Sequence, residues 1–369
     1  MSLADLDNLA GRAGRLDCVC PAGAGEGVAA RDNLIRLSAG FGLAILAQTL
    51  VLSALPLASQ TLAPQPWLAG LPYALTLLGA AVATAPASLL LDSFGRRAAF
   101  ALGASLGVAG GALAAIGAVR GMFAALCIGS LWLGFSNGFA LFYRHAAAAG
   151  AAGPRGGALV FAAGALAALL APLLMQAATS FGGPFVDGYA LAMAGLADLL
   201  GLLVAIMLPH ALAPAQQESK APGASGLAFV TAAGAAAWFV MTWVMARAAP
   251  SLVACGVATA AASGIVAWHL IAMYAPAAIA RILSAPFQGA AGLTGAALLA
   301  TGAAVFGFGA NASWISAGML AAGAGWSLVN AWGLQRLYRD GRPGRGQLAL
   351  HDFALLSAAL CAALVAPLV

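Results

Sequence analysis

Long apolar stretches alternate with short polar ones along almost the whole chain. Eleven of these stretches hold about 20 residues each, the length of helix that crosses the hydrocarbon core of a bilayer. Only helices and closed barrels leave no backbone group unpaired in lipid, and stretches of this length indicate helices. The predicted spans are residues 34–56, 68–91, 98–119, 121–142, 156–178, 189–209, 226–248, 258–280, 289–308, 313–334 and 350–368. The pattern therefore predicts an all-α polytopic membrane protein of about 11 transmembrane helices.

Composition agrees with a chain that lives in lipid. Hydrophobic residues make up 63% of the sequence and charged residues 7%, and the mean hydropathy is +0.95. The formal net charge of +5 does not indicate nucleic-acid binding, because the basic residues are scattered among loops instead of forming one patch. The lipid bilayer is the expected partner, and nucleic acid is not.

The basic residues indicate an orientation. Lys and Arg collect on the cytoplasmic side of membrane proteins. With the N-terminus inside, only Arg120 and Arg247 of the 16 basic residues fall on the opposite side. The abundance of Ala and Gly, and of Arg over Lys, suggests a GC-rich bacterial genome. We therefore predict a multi-pass protein of a bacterial inner membrane with a cytoplasmic N-terminus.

Two polar segments suggest how the chain is divided. Residues 1–32 are rich in charge, Gly and Ala and are predicted to form a disordered cytoplasmic tail. The loop at 210–225 is rich in Pro, Gln, Ser and charge, as is typical of a linker between helical blocks. It divides the spans into an N-terminal half of six (33–209) and a C-terminal half of five (226–369).

The turn between the second and third spans carries a recognisable motif. Gly95 supplies backbone freedom there, and Asp92 can accept hydrogen bonds from the turn. Arg96 and Arg97 can hold the turn at the lipid headgroups, as an ordinary basic loop would. The order, spacing and location of these four residues resemble the loop signature of the major facilitator superfamily. Ser88 stands where that signature has its first glycine.

Three shorter stretches resemble a poorly characterised bacterial branch of the same superfamily. They begin at Phe142 between the fourth and fifth spans, at Trp268 in the eighth and at Gly323 in the tenth. The resemblance implies two pseudo-symmetric helical halves, a central cavity, a small-molecule substrate and a monomer. In that family the loop latches the halves in one access state. The same role is therefore expected of the four loop residues, Asp92, Gly95, Arg96 and Arg97.

Three features depart from the family. The fourth span has no arginine near Gly134, and the antiporter signature of the fifth span is reduced to Ala171-Pro172. These two differences argue against a drug/proton antiporter. The eleven predicted spans are also one fewer than the twelve of that family. We expect a secondary transporter that moves a small solute by alternating access. The alternative is a non-transporting membrane scaffold or assembly factor derived from a truncated transporter.

Two ionisable residues lie near the middle of predicted spans, Asp198 in the sixth and His269 in the eighth. Such residues are costly in a membrane and are functional candidates by default. Both are candidates for coupling to protons, since burial favours a neutral carboxyl group and imidazole can donate, accept and titrate. The alternative for each is a hydrogen bond that only fixes helix packing.

Further candidates for substrate binding lie in the first, fourth, eighth and tenth spans. They are Gln48, Asn137, Trp268, Trp326 and Asn330. Trp326 and Asn330 are four residues apart and share one face of a helix. Each of these side chains could equally join helices without touching a substrate.

No pattern points to an enzyme, a cofactor or a metal. The sequence has no phosphate-binding loop of the Gly-x-x-x-x-Gly-Lys type and no nucleophile–base spacing. Cys18 and Cys20 could bind a metal only with a second pair of ligands, which the sequence does not offer.

Overall fold

A computed structural model describes residues 24–209, 223–257, 259–281, 285–339 and 341–366. Within these ranges the secondary structure is helical, without strands. Ten helical segments there are long and apolar enough to cross a membrane, and a shorter apolar segment, Gly264–Ala278, occupies the eighth predicted span. The predicted all-α polytopic membrane bundle is confirmed. Cys18, Cys20 and most of the predicted linker at 210–225 lie outside the described residues.

Apart from the longer segment between Ile206 and Ala224, the helices follow one another with short connections. They are α1 (Ala24–Leu62), α2 (Leu71–Ser93), α3 (Gly95–Arg120), α4 (Phe123–Ala148), α5 (Gly153–Ala162), α6 (Ala165–Gly182), α7 (Val186–Ile206), α8 (Ala224–Ala254), α9 (Thr259–Tyr274), α10 (Ala285–Phe308), α11 (Ala312–Leu337) and α12 (Arg345–Val365). Residues 24–32, expected in the disordered tail, form the first turns of α1. Below, the N-terminal half means α1–α7 and the C-terminal half α8–α12.

Two predicted spans are irregular, each for a local reason. The fifth consists of α5 and α6, which are separated by a tight turn at Ala163 and Gly164. A Cβ at Gly164 would lie 2.7 Å from the ring of Tyr274, so the glycine lets this ring approach the turn. The eighth span is α9 followed by a 3-10 helix at Ala275–Arg281. Pro276 has no N–H to continue the α-helical hydrogen bonds, which explains the change.

Small residues let helices cross closely within each half. A Cβ at Gly134 of α4 would lie 2.1 Å from the backbone oxygen of Thr76 in α2. In the C-terminal half, a Cβ at Gly318 of α11 would lie 2.5 Å from the backbone nitrogen of Phe306 in α10. Helices in lipid associate largely through such close packing of small residues.

The two halves meet through a limited set of helices. α2 packs against α12, and α5 and α6 pack against α9 and the 3-10 helix that follows it. The polar contacts between halves gather at one end of the bundle, here called the basic end. It carries the connections at 93–95, 149–152 and 338–344, whose flanks hold most of the arginines. This arrangement places functional candidates both inside the N-terminal half and between the halves.

Candidate functional site

Three of the predicted site residues line one cavity inside the N-terminal half. Gln48 of α1, Asn137 of α4 and Asp198 of α7 face this first cavity. Its other polar lining comes from Tyr73, Thr76 and Ser136. An apolar wall with a few convergent polar groups is typical of a binding site.

Asp198 is buried and has one hydrogen-bond donor. The hydroxyl of Ser136 donates to Asp198 Oδ1 at 3.1 Å. The space for this pair comes from Gly107 of α3, where a Cβ would lie 2.3 Å from Asp198 Oδ2 and 2.6 Å from Ser136 Oγ. Among the described residues no Arg, Lys or His forms an ion pair with this carboxyl group. The site therefore buries an acid without a counter-charge.

Asn137 contributes an unsatisfied acceptor to the same cavity. Its Oδ1 is buried and has no hydrogen-bond partner. A buried polar atom without a partner costs about 1–3 kcal/mol. A water molecule or a bound solute that donates a hydrogen bond to Asn137 would remove this cost.

A second site consists of five aromatic side chains and lies between the halves. This aromatic cluster is formed by Phe41, Phe161, Trp238, Tyr274 and Trp326. Trp326 lies 5.4 Å from Phe161, 5.2 Å from Trp238 and 5.8 Å from Tyr274 between ring centroids. Phe41 lies 5.8 Å from Phe161 and 6.2 Å from Tyr274. The indole Nε1 of Trp326 is buried and has no hydrogen-bond partner.

Next to the aromatic cluster, three buried ionisable residues join the halves. This charge cluster consists of Arg144 and His145 of α4 and Asp352 of α12. Arg144 Nη2 is 2.6 Å from Asp352 Oδ1, and His145 Nε2 donates to Asp352 Oδ2 at 3.0 Å. The guanidinium also lies over the ring of Phe161, with Cζ 5.9 Å from the centroid. One acid is thus shared by two bases from the opposite half.

Asn330 connects the charge cluster to the aromatic cluster. Its Oδ1 accepts hydrogen bonds from Trp238 Nε1 at 3.1 Å and from Arg144 Nη1 at 3.4 Å. Its Nδ2 donates to the carbonyl of Trp326 at 2.8 Å. The predicted pair Trp326 and Asn330 therefore belongs to one network with residues of both halves.

Tyr338 extends this network toward the basic end. Its hydroxyl lies 3.2 Å from Nδ1 of His145, the ring nitrogen that does not face Asp352. Burial raises the pKa of the Tyr338 hydroxyl, and the charge of Asp352 adds to that effect. The hydroxyl therefore remains protonated at neutral pH and can donate to His145.

His269 and Trp268 lie apart from these sites. His269 is fully buried, and its Nδ1 donates to the carbonyl of Met319 at 2.7 Å. Its ring packs against Gly323 of α11, and its Nε2 has no partner. Trp268 is 65% exposed on the outside of the bundle. The structure brings neither residue to the first cavity or to the aromatic cluster.

The four loop residues are at the basic end. Gly95 is buried and has a φ of +79°, a conformation that favours glycine. Arg96 is half-buried and faces the like charge of Arg342 in the other half. Asp92 and Arg97 are exposed. The loop thus reaches the C-terminal half through Arg96.

Sequence reasoning missed the charge cluster. Arg144 counted as a loop residue because the predicted span ended at 142, whereas α4 continues to Ala148. Asp352 fell near the start of the last predicted span and not at mid-depth. An acid inside a predicted span, followed through to its basic partners in other spans, is the signal that could have found it.

Comparison with known proteins gives relatives of one kind. The chain is 32% identical over 267 residues to the riboflavin transporter RfnT of Brucella anthropi. The match covers 68% of this chain. The chain spans 66% of that relative, just under two thirds of its length. No family model matches the sequence.

Solved structures match almost the whole chain. The proton:xylose symporter XylE matches with a TM-score of 0.73 at 18% identity. The match covers 93% of this chain and 89% of XylE. The human organic anion transporter TETRAN has a TM-score of 0.68 at 20% identity, with 92% of both chains covered. An outward-facing bacterial homologue of the iron transporter ferroportin has a TM-score of 0.63 at 15% identity, with 91% and 92% covered.

These matches identify the fold class of the protein. The chain has the fold of polytopic helical membrane transport proteins. The fold is that of the major facilitator superfamily, whose loop motif the sequence resembles.

Proposed function

We propose that the protein is a secondary transporter of a flavin-like solute, with riboflavin as the first candidate. The observation that carries this proposal is the aromatic cluster, to which both halves contribute rings next to the polar side chain of Asn330. The named substrate of the relative from Brucella anthropi supports the choice of solute. We further propose that the protein is a monomer and that its substrate is a small molecule.

The chemistry of the aromatic cluster suits a planar solute. A flavin ring has two aromatic faces, which stack favourably on Trp, Tyr and Phe, and an edge of carbonyl and nitrogen acceptors. The free Nε1–H of Trp326 could donate to that edge. Because Phe161 and Trp326 belong to opposite halves, a small separation of the halves would open a slot between their rings.

The contacts between the halves support alternating access. Three cross-half contacts close the basic end in this structure: Ser88 to the carbonyl of Arg345, Arg342 to the carbonyl of Ala149, and the charge cluster. We propose that these contacts break when that end opens. The loop residues Asp92, Gly95, Arg96 and Arg97 are assigned the role of latch there.

Orientation follows from the same end of the molecule. Because basic connections stay in the cytoplasm, the basic end faces inward and the described state is closed to the cytoplasm. We propose that the protein lies in a bacterial inner membrane with its N-terminus inside. The predicted boundaries of the halves, 33–209 and 226–369 on either side of a linker at 210–225, belong to this proposal.

Coupling to protons through His269 or Asp198 is part of the proposal. Both side chains are buried, and each has polar capacity that no described residue uses. Replacing both residues, by Gln and Asn respectively, should abolish concentrative transport and its pH dependence. If both persist in the double variant, protons are not coupled at these residues.

The substrate assignment is tested by transport in proteoliposomes loaded with riboflavin. Wild type should exchange labelled riboflavin across the membrane. Trp326→Ala should weaken the apparent affinity by about 10- to 100-fold, because stacking on one aromatic side chain contributes about 1–3 kcal/mol.

Trp268→Ala is the matched control, because it removes the same side chain from the exposed outer surface. It should transport like wild type. The absence of riboflavin exchange by correctly inserted wild type would refute the substrate. Equal effects of the two tryptophan variants would refute the binding site.

A further inference from the structure

Asp198 lies between two cavities of the N-terminal half. The first cavity has been described. The second is also narrow and is lined by residues that include Gly40, Phe100 and Tyr143. Both cavities are lined by Ala44, Ser136 and Asp198. The hydrogen-bonded pair of Ser136 and Asp198 is therefore part of the wall that the two cavities share.

The two cavities follow one another along the bundle. On α1 the first cavity is lined by residues 44–52 and the second by residues 40–44. On α4 the corresponding residues are 133–137 and 136–143. Since α1 runs away from the basic end and α4 runs toward it, the second cavity is the one nearer the basic end. Asp198 thus lies between one cavity nearer the basic end and one farther from it.

The surroundings of Asp198 are polar but carry no fixed opposite charge. The titratable side chains that face it are Tyr73 of α2, in the first cavity, and Tyr143 of α4, in the second. α1 contributes Gln48, while α3 has titratable residues only near its ends and α6 has none. A buried carboxylate without a counter-ion is costly, so an exchangeable positive charge is the natural partner for this group.

The first cavity also contains a hydrogen-bond acceptor that lacks a donor. Asn137 Oδ1, next to Ser136 in sequence, is buried and unpartnered and belongs to the lining. The remaining space is narrow and suits ordered water better than a larger solute. Water held there would lie beside Asp198 and could accept or supply a proton.

His269 lacks this setting. Its Nδ1 is already committed to the carbonyl of Met319, and neither cavity includes its side chain. Among the two ionisable candidates, only Asp198 is placed where water could reach it from two sides.

We infer that Asp198 is a proton-binding site that is reached from both faces of the membrane through the N-terminal half alone. In the described state a proton passes from water in the first cavity to the carboxylate, which becomes a neutral acid. When the basic end opens, the proton leaves to water in the second cavity, which restores the carboxylate. The solute binds elsewhere, at the aromatic cluster, so the inference rests on the proposed transport function only for what the proton drives. It places proton and solute on separate routes.

The site itself is tested without any solute. Infrared difference spectra of the protein in lipid, recorded between neutral and high pH, where exposed carboxyl groups are already ionised, should contain a protonated-carboxyl band. That band should be missing in Asp198→Asn and unchanged in Asp187→Asn, a half-buried aspartate on the same helix. A band that persists in Asp198→Asn overturns the inference. So does a wild-type band that Na⁺ removes at constant pH, because the site would then bind a metal cation.

Transport measurements then test the coupling. With riboflavin, Asp198→Asn should lose uptake driven by a pH gradient but keep exchange between equal concentrations with an unchanged KM. Asn137→Leu, which removes the unpartnered amide oxygen from the first cavity, should also reduce gradient-driven uptake. If gradient-driven uptake survives in Asp198→Asn, the coupling role is wrong. If wild type carries no riboflavin, the proposed substrate fails while the infrared result still decides the proton site.

Discussion

Two buried aspartates in this protein have opposite surroundings. Asp352 is completely buried between the halves, where Arg144 and His145 lie 2.6 Å and 3.0 Å from its two oxygens. Asp198 is buried inside one half and receives a single hydrogen bond from the hydroxyl of Ser136. Asp352 has fixed partners and lines neither described cavity, whereas Asp198 has cavities on two sides and no fixed counter-charge. The first environment suits a structural contact that forms and breaks, the second a group that exchanges a small ion.

The two aspartates also differ in the energetic cost of replacing them. Removing one member of a buried ion pair leaves the other charge uncompensated. Replacing an acid that has no counter-charge by its neutral amide removes a charge that nothing compensates. The same substitution, Asp to Asn, is therefore expected to act in opposite ways at the two positions.

The largest expected effect is that of Asp352→Asn. It leaves the guanidinium of Arg144 buried without a carboxylate, which should lower the free energy of unfolding by about 3–5 kcal/mol. Asp198→Asn should change it little or raise it. Denaturant unfolding of both variants in the same detergent measures the contrast. Adding Arg144→Gln to Asp352→Asn should recover part of the loss. Equal losses in the two single variants would show that the surroundings of the two acids are energetically alike.

A smaller effect is expected at Gly107, which gives Asp198 its space. Alanine there would place Cβ 2.3 Å from Asp198 Oδ2 and force the pair with Ser136 to move. Overpacking of this kind costs about 1–3 kcal/mol. Gly264→Ala is the control, since a Cβ at that position has no neighbour within 4 Å. Thermal unfolding of the two variants should differ, and a harmless Gly107→Ala would mean that the carboxyl can easily sit elsewhere.

The smallest effect concerns the hydrogen bond to Asp198 itself. Ser136→Ala removes the only described donor to the carboxyl and should cost about 1 kcal/mol. It should also shift the infrared band of the protonated carboxyl. Ser130→Ala is matched to it, because Ser130 is buried on the same helix but bonds only to the carbonyl of Leu126. A band shift in Ser130→Ala as large as that in Ser136→Ala would show that the band reports on the whole helix.

Much of the fold was predictable because hydrophobic length decides it. The break in the fifth span and the change to a 3-10 helix at Pro276 were not, since both depend on local backbone geometry. Gln48, Asn137 and Asp198 could be named as polar residues inside apolar spans. That they share one cavity could not be predicted, because the rotation of each helix about its axis is set by packing.

The contacts between the halves were harder to foresee. Arg144 and Asp352 lie near the ends of helices that are far apart in sequence, and a basic residue near a loop normally stays with the headgroups. The aromatic cluster combines rings from five helices, so no single periodic pattern contains it. The sequence identified Trp326 and Asn330 through their spacing, but not the partners contributed by the other half.

Ser88 stands at the position where the superfamily's loop motif has a glycine, and its hydroxyl donates to the backbone carbonyl of Arg345 at 2.8 Å. A glycine has no group with which to make this bond. Because the acceptor is an uncharged amide oxygen, the bond keeps its strength in concentrated salt, where exposed arginine contacts are screened. High ionic strength should therefore weaken the exposed arginine contacts at the basic end. The neutral hydrogen bond from Ser88 would continue to join the two halves there.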